Sequence, residues 1–453
     1  MLFGATALLL IGFVALGTEA GNWYAVNATV QHAADAAAMA GAAARSASGN
    51  MAVATAAARQ AAQFNGYGDG GGTIVTVTDA STAYANSSAV RVQIEASIAP
   101  ILLTLFSSAT PAVKVAAVGV VKDIGPACLL ATSGGLTIGA NQHSYSCIYA
   151  SNAAGADSIR VLSSVTGDGV YGYTTVGTCP TCGTLYSDRP AAAYQPSTTN
   201  PYKDIYNGVS AALAELRPTI DYEAVPPPSG SDYALVPVTA AGEFNGTTYA
   251  WQTGRPLYVY TSDVVINANT TVTLVPGLYI FLGASLRIEG GRVQCMKQPQ
   301  GTVPCDAADG VTIILAAGQM TDPGRLVIGP GAEVALHSPA TLLAVAPNVP
   351  SPYPLLNGML FYRPATVDQG GDAGNPAVDI SGSAGTHLLG GMYFPNAYVR
   401  YGANYGQDPD AGSSCVVLVA ATIDLTTTPS SFPSGSQCTT TPTPRVRAVR
   451  LAG

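Results

Sequence analysis

The chain opens with an unbroken apolar run from Leu2 to Gly17, LFGATALLLIGFVALG. It continues without a proline into an alanine-rich stretch, NWYAVNATVQHAADAAAMAGAAARSA. Alanine has the highest helix propensity, so the pattern predicts one long helix over residues 1–65, ended by the glycine-rich segment 66–72. As a helix the apolar run would be about 24 Å long, shorter than the roughly 30 Å hydrocarbon core of a bilayer. We expect such a rod to be held by a membrane or by copies of itself.

Three features of this helix are candidate signs of an assembly role. Small residues four apart let helix backbones approach closely, although helix propensity alone also explains the alanines. Glu19 is an ionisable group beside an apolar span and is a candidate for function; the alternative, a solvated group at the water interface, is favoured because its neighbours are polar or small. Trp23 and Tyr24 are aromatics of the kind found at membrane interfaces. The predicted assembly residues are Leu2, Phe3, Leu8, Leu9, Leu10, Phe13, Glu19, Trp23, Tyr24, Ala36 and Ala40.

Residues 66–122 are predicted to form a small α+β module. The segments TIVTVTDA and AVRVQIEASI alternate as strands, and AVKVAAVGVV is a returning strand. Between the second and third strands, PILLTLFSS predicts a short apolar helix. We expect Leu103, Leu105 and Phe106 of this helix to lie in the core.

Short apolar runs separated by Gly, Asn, Ser and Pro recur from Asp123 onward, among them VVINANTTVTL, GLYIFLG, GVTIILAAG and CVVLVAATIDL. Their rung-like recurrence predicts a parallel β-solenoid over residues 123–445, resembling a right-handed β-helix, in which each coil buries its face by stacking on the next. A β-sandwich or stacked antiparallel sheets is the alternative. The predicted fold is therefore mostly β, with a long N-terminal helix, a small α+β collar and a solenoid.

One segment near 200–241 interrupts these runs. It holds a predicted helix over residues 205–216, followed by the proline-rich connector VPPPSG at 225–230. We interpret it as an excursion across the solenoid face or as a lid at one end, since solenoids need capped ends. Residues 446–453 form a C-terminal tail.

Composition narrows the partners and the compartment. Charged residues make up only 10% of the chain and the formal net charge is -8, whereas a nucleic-acid binder needs a basic stripe. All eight cysteines follow the N-terminal helix, and their even number indicates an oxidising compartment. Free buried thiols are the alternative to disulfides, which an oxidising compartment favours. Many connectivities are open, and we expect neighbours to pair because short loops suit stapled turns. The expected disulfides are Cys128–Cys147, Cys179–Cys182, Cys295–Cys305 and Cys415–Cys438.

Candidate chemistry is sparse. The CPTC motif at 179–182 lies in turn-like sequence, which favours a small disulfide loop over redox or metal chemistry. Asp368, Asp372, Asp408 and Asp410 could supply calcium ligands, but aspartate is also common in turns for its own hydrogen bonding. No GxSxG or HExxH motif is present, and the glycine-rich segments GYGDGGG and GDGVYGY lack the strand–helix context of a phosphate-binding loop. We therefore predict no catalytic residue, metal or cofactor.

The N-terminal pattern resembles that of the TadE/TadG-like pilus-assembly proteins, from the tight-adherence (Flp) branch of type IV pili. The pattern is an apolar span, an acidic residue, a small residue, an aromatic pair and then QxAADAAA. Further on, PACLLA, PGLYIFLG, GMLFY and GGMYFPNA resemble the β-helical C-terminal domain of TadG-like proteins. The matching N-terminal residues are Glu19, Gly21, Trp23, Tyr24, Val30, Gln31, Ala33, Ala34, Asp35, Ala36, Ala37 and Ala38.

The resemblance implies a non-enzymatic structural protein of a tight-adherence-type pilus or extracellular surface filament. It would pass through a membrane-inserted stage and assemble through its N-terminal helix with copies of itself or with other tight-adherence pilins. The solenoid would then serve adhesion or subunit packing at the bacterial cell surface. The alternative function is a membrane-tethered β-helix protein that binds or cleaves a surface polysaccharide.

Overall fold

The computed structural model describes two compact units, one made of residues 1–124 with 447–453 and the other of residues 125–446. Only the backbone is described for residues 2–11, 142–144, 243–244, 248–250, 257–259 and 430–431. The described residues are 2–99, 101, 111–139, 142–144, 147–162, 170–182, 192–203, 205, 243–244, 248–250, 257–260, 262–274, 276–297, 303–305, 308–317, 323–341, 356–364, 370–383, 385–402, 415–426, 430–432, 438 and 441–452.

The chain begins with two helices, α1 (Leu2–Ser48) and α2 (Met51–Phe64). Between them Gly49 adopts a left-handed φ of 68°, which glycine tolerates at a helix end. The side chain of Asn50 then caps α2 by accepting a 2.8 Å hydrogen bond from the Ala52 backbone N–H. The prediction of one continuous helix over residues 1–65 is therefore wrong, because this glycine and this cap end the first helix and begin the second.

The helices of the first unit pack on an antiparallel sheet. The sheet comprises β1 (Thr73–Asp79), β2 (Val90–Ser97) and the first part of β3 (Ala112–Ile138), and the short helix α3 (Ser81–Tyr84) follows β1. The core is made largely of alanine and valine, and a side chain at Gly119 of β3 would collide with the α1 backbone. Small residues thus let α1 lie directly on the sheet.

Two predicted features of this unit have different outcomes. The three predicted strands are present as β1, β2 and β3. The predicted helix PILLTLFSS, with Leu103, Leu105 and Phe106, lies outside the described residues apart from Ile101. The C-terminal residues form a strand, β24 (Arg445–Leu451), and the N–H of the following residue, Ala452, donates a 2.8 Å hydrogen bond to a carbonyl of β3.

The second unit is built from short strands, and the chain as a whole is mostly β. The remaining strands are β4 (Gln142–Ser144), β5 (Ile148–Ser151), β6 (Ile159–Val161), β7 (Gly172–Thr175), β8 (Glu243–Phe244), β9 (Thr248–Ala250), β10 (Leu257–Tyr260), β11 (Val264–Asn267), β12 (Thr271–Leu274), β13 (Gly277–Leu282), β14 (Leu286–Glu289), β15 (Arg292–Cys295), β16 (Val311–Ala316), β17 (Leu326–Ile328), β18 (Glu333–His337), β19 (Met359–Tyr362), β20 (Val378–Ile380), β21 (His387–Tyr401), β22 (Val416–Leu425) and β23 (Ser430–Phe432).

These strands pair in parallel with a regular interval of three. Thus β10 pairs with β13, β13 with β16 and β16 with β19; the same step relates β11, β14, β17 and β20, and also β12, β15, β18 and β21. The long strands β21 and β22 then pair with each other. The result is one large sheet that is not closed.

In one series of strands, every second side chain is buried on the same face of this sheet. In the β11, β14, β17 and β20 series, Ile266, Ile288, Ile328 and Ile380 lie side by side in register, and all are buried. Within each strand, the residues that alternate with these isoleucines point to the opposite, outward face, as the period of two requires. Strands β13, β16 and β19 differ, since they are buried along their whole length and are largely apolar.

The order of strands in space departs from their order in the sequence. Strand β22 pairs in parallel with the second part of β3, so that Leu418 lies opposite Leu129. On its other edge β3 pairs with β5 and β6, and β5 pairs with β7. Two arms, residues 127–175 and 264–425, therefore meet at the β3–β22 seam, which the sequence pattern did not predict.

Disulfides staple this unit at four places. They join Cys128 to Cys147, Cys179 to Cys182, Cys295 to Cys305 and Cys415 to Cys438. These are the neighbour pairs predicted from the sequence. Of the predicted excursion near 200–241, only residues 200–203 and Ile205 are described; the rest of the helix over 205–216 and the connector at 225–230 lie outside the described residues.

Candidate assembly surface

The N-terminal part of α1 leaves large apolar side chains exposed. We call residues 12–24 the apolar stem. Phe13 and Val14 are each 67% exposed and Leu16 is 71% exposed, and Tyr24 near the other end is also exposed. Covering a side chain of this size contributes about 1.5–3 kcal/mol. An apolar surface of this kind marks an interaction site.

Glu19 is the exception within the stem, since only 8% of it is exposed. Its Oε1 accepts a 3.1 Å hydrogen bond from the Trp23 indole N–H, one helical turn further on. Its Oε2 accepts a 3.0 Å hydrogen bond from the Ile101 backbone N–H. Glu19 therefore holds the segment after β2 against α1, and the interpretation of a merely solvated group is wrong.

Apolar residues are neighbours of this buried carboxylate. Leu16 lies one turn before Glu19 on the same side of the helix, because residues three apart are neighbours on a helix surface. Trp23 and Ile101 both touch the Glu19 carboxylate through their N–H groups, and Ile101 is 53% exposed. The stem thus carries an apolar patch whose polar centre is already bonded within the chain.

The small residues of α1 pack within the chain, in a phase different from the predicted one. Ala36 and Ala40 are half-buried, whereas Ala33, Ala37 and Gly41 are buried. A Cβ at Gly41 would lie 3.2 Å from the Ala58 side chain of α2 and 3.1 Å from a methyl group of β2. A run of alanines has no hydrophobic periodicity that could have indicated this phase.

The other predicted assembly residues lie at the start of α1. Leu2, Phe3, Leu8, Leu9 and Leu10 belong to α1, but their side chains lie outside those described. Over the part of the chain that the structure describes, no helix is both long enough and apolar enough to cross a membrane. The transmembrane helix expected from the apolar run is therefore not found there.

The other sequence candidates form local structure. Cys179 and Cys182 are joined in a small disulfide loop. The Asp372 carboxylate accepts hydrogen bonds from the Gly374 and Asn375 backbone N–H groups, as in a turn. Asp368, Asp408 and Asp410 lie outside the described residues, and within the described ones no group of three metal-ligating side chains occurs.

A row of charged side chains crosses the outer face of the large sheet. Asp379, Arg400 and Asp424 lie opposite one another on β20, β21 and β22. Arg400 forms a 3.0 Å ion pair with Asp379, and the Tyr398 hydroxyl donates a 2.9 Å hydrogen bond to Asp424. Partial burial, with the Asp424 carboxylate as a second cause, raises the pKa of Tyr398 to about 12. These groups are bonded to one another across neighbouring strands.

Comparison with known proteins adds no relative. No protein-family model matches the chain, and neither a curated protein nor a solved structure matches it. The resemblance to TadE/TadG-like proteins therefore remains a prediction that depends on the quoted motifs.

Proposed function

We propose that the protein is a non-enzymatic structural component of a tight-adherence-type pilus or extracellular surface filament. It assembles through the apolar stem, against stems of further copies or of other tight-adherence pilins, after a stage in which the stem lies in a membrane. The second unit is displayed at the bacterial cell surface for adhesion or subunit packing. The observation that carries this proposal is the exposure of Phe13, Val14 and Leu16 on a helix whose next turns are fixed to the body of the first unit.

The energetics support a stem that is covered in the working protein. Three large apolar side chains exposed at about two thirds or more would contribute several kcal/mol if a partner covered them. Glu19 adds no cost of burying a charge at that interface, because the carboxylate is already out of solvent and holds two N–H donors. A partner that covers Phe13, Val14 and Leu16 therefore does not have to bury a free charge with them.

We further infer that the second unit is a parallel β-solenoid, resembling a right-handed β-helix, with three strands in each coil. The parallel pairing of each strand with the third strand along supports this inference, as does the column of inward isoleucines. Coils stacked in this way suit a projecting element, because each coil is stabilised by its neighbours.

The structure defines a sharp truncation to test the assembly proposal. A chain beginning at Thr18 loses the exposed residues but keeps Glu19 and the contacts that fix α1. We expect wild-type protein in filaments sheared from cells, and the truncated protein only as unassembled, folded protein. Filaments of normal abundance containing the truncated chain would overturn the proposal.

A paired substitution separates loss of assembly from loss of folding. Phe13→Ser with Leu16→Ser removes apolar surface from the stem, whereas Val53→Ser removes an exposed apolar side chain of α2. We expect the stem variant to be missing from sheared filaments and the Val53 variant to assemble. Equal unfolding temperatures of both variants would show that the difference lies in assembly.

The alternative function, binding or cleavage of a surface polysaccharide, would use the charged outer row. Arg400 donates to Asp379 and also to the Ala373 carbonyl oxygen, and Tyr398 donates to Asp424. A glycan would have to compete with these bonds, so the row gives this alternative less support than the stem gives to assembly. Binding of the purified protein to a glycan array would reverse that order.

A further inference from the structure

Among the strands that the structure describes, β1 pairs with β2 alone and so lies at an edge of the sheet in the first unit. Its even- and odd-numbered residues direct their backbone N–H and C=O groups to opposite sides of the strand. The Ser97 N–H donates to Gly72 and the Ala80 N–H donates to Ala89, at the two ends of the β1–β2 pairing. Antiparallel pairs alternate between bonded and non-bonded positions. Even-numbered residues of β1 therefore bond to β2, and odd-numbered residues direct their N–H and C=O groups to the outer edge.

This edge has a composition that favours pairing with another strand. From Thr73 to Thr78 every residue is β-branched and uncharged, in the order TIVTVT. β-branched residues fit pleated strands, and natural edge strands are usually blunted by lysine, proline or a bulge. None of these lies within β1, whose one charged residue, Asp79, is at its end.

A neighbouring turn occupies the first half of the edge instead. The Thr73 N–H donates to the Gly70 carbonyl at 2.9 Å, and the Gly70 N–H donates back to Thr73 at 3.0 Å. The Val75 N–H donates to Asp69 Oδ1 at 2.7 Å, and Arg59 forms a 3.5 Å ion pair with the other carboxylate oxygen. The Asp69 side chain thus occupies the acceptor position that a further strand would supply.

We propose that β1 is a strand-addition edge for the β1 of a second copy, and that the turn at 68–72, through Asp69, keeps it closed. The segment is self-complementary in an antiparallel pair centred on Thr76. In that register Val75 lies opposite Val77 of the second copy, on the face that the helices cover in each chain. The Val77 carbonyl of the second copy would then accept from the Val75 N–H, which Asp69 now holds. This proposal is independent of the proposed function of the stem.

Cysteine cross-linking of the full chain in mild detergent tests the register. All eight native cysteines are in disulfides, so an added cysteine is the free one. Two Thr76→Cys side chains would face each other at a non-bonded position, where Cα atoms lie about 4.5 Å apart. Thr78→Cys is the matched control, since the same register places the two thiols introduced at that position far apart.

The role of Asp69 in keeping the β1 edge closed is tested by combining Thr76→Cys with changes at Asp69. We expect Asp69→Ala to raise the rate of covalent dimer formation under mild oxidation at least about fivefold, since the acceptor is removed. Asp69→Asn keeps an oxygen acceptor and should stay near the Thr76→Cys rate. Arg59→Ala, which only loosens the carboxylate, should give a smaller rise and keeps the test valid if Asp69→Ala fails to fold. The proposal would be overturned if neither Asp69→Ala nor Arg59→Ala raised the rate at which Thr76→Cys forms covalent dimers. It would also be overturned if Thr78→Cys cross-linked as fast as Thr76→Cys.

Discussion

The Thr132 hydroxyl donates a 3.1 Å hydrogen bond to the Ala420 carbonyl oxygen, although 288 residues separate them in the chain. The bond lies on the seam where β3 pairs with β22. Because the two arms of the second unit meet there, neither arm can bury the apolar residues of its strand at the seam without the other. Contacts between segments so distant in sequence carry a large loop-closure cost, which the buried seam must offset.

A substitution that leaves a cavity at the β3–β22 seam should destabilise both arms together. Leu418 and Leu129 lie opposite each other and are fully buried. Leu418→Ala is therefore expected to lower the free energy of unfolding by about 2–5 kcal/mol. Hydrogen exchange should show the same loss of protection in β5 of one arm and β14 of the other.

The control for this prediction is Val327→Ala, at a half-exposed, outward-facing position of the same sheet. Its cost should stay below about 1 kcal/mol, since the substitution leaves no cavity. Loss of protection confined to a single arm in Leu418→Ala would contradict the account of the seam.

The outer row should depend on the Tyr398 hydroxyl. Tyr398→Phe leaves the buried Asp424 carboxylate without that donor, and we expect a loss of about 1–3 kcal/mol in the free energy of unfolding. Tyr194→Phe, at an exposed tyrosine, is the matched control and should change it little. Chemical denaturation of the two variants measures the difference; equal stabilities would show that the bond contributes nothing.

The buried stem carboxylate should act as a hydrogen-bond acceptor. Glu19→Ala removes the acceptor from both the Trp23 indole and the Ile101 N–H, so amide exchange at Ile101 should become at least about tenfold faster. Glu19→Gln keeps one oxygen acceptor and should retain much of the protection. Unchanged exchange at Ile101 in Glu19→Ala would refute the role that we assign to this residue.

The first unit should lose stability in acid through Asp79. Arg45, which donates to Asp79 Oδ2 at 2.6 Å, holds the pKa of that carboxylate well below its usual range. A lowered pKa in the folded state means a contribution that is complete above the ordinary aspartate pKa of about 3.9 and is lost as the pH falls below it. Unfolding temperatures measured from pH 6 to pH 2 should therefore fall less steeply for Asp79→Asn than for the wild type. Parallel curves would contradict this assignment.

Structure that depends on a few neighbouring residues could be predicted from the sequence, whereas contacts between distant segments could not. The alternation of TIVTVTD predicted β1, and the cysteine spacing predicted the stapled loops, because both signals are contained in a few residues. The seam was not predicted, since the continuous apolar run around Leu418 indicates that the residue is buried but not that Leu129 lies beside it. Glu19 was misjudged for the same reason: its acceptor role depends on the Ile101 N–H, 82 residues away. Gly49 lies between Ser48 and Asn50, which are common in turns and caps, but the alanine-rich sequence beyond them favoured one continuous helix.

Electron cryomicroscopy of filaments sheared from native cells, with mass spectrometry of the same fraction, tests the assembly proposal most directly. The account predicts that this chain is present in the filaments and that Phe13, Val14 and Leu16 are buried against stems of neighbouring subunits. Absence of the chain from the sheared fraction, or filaments in which these three side chains face solvent, would contradict it.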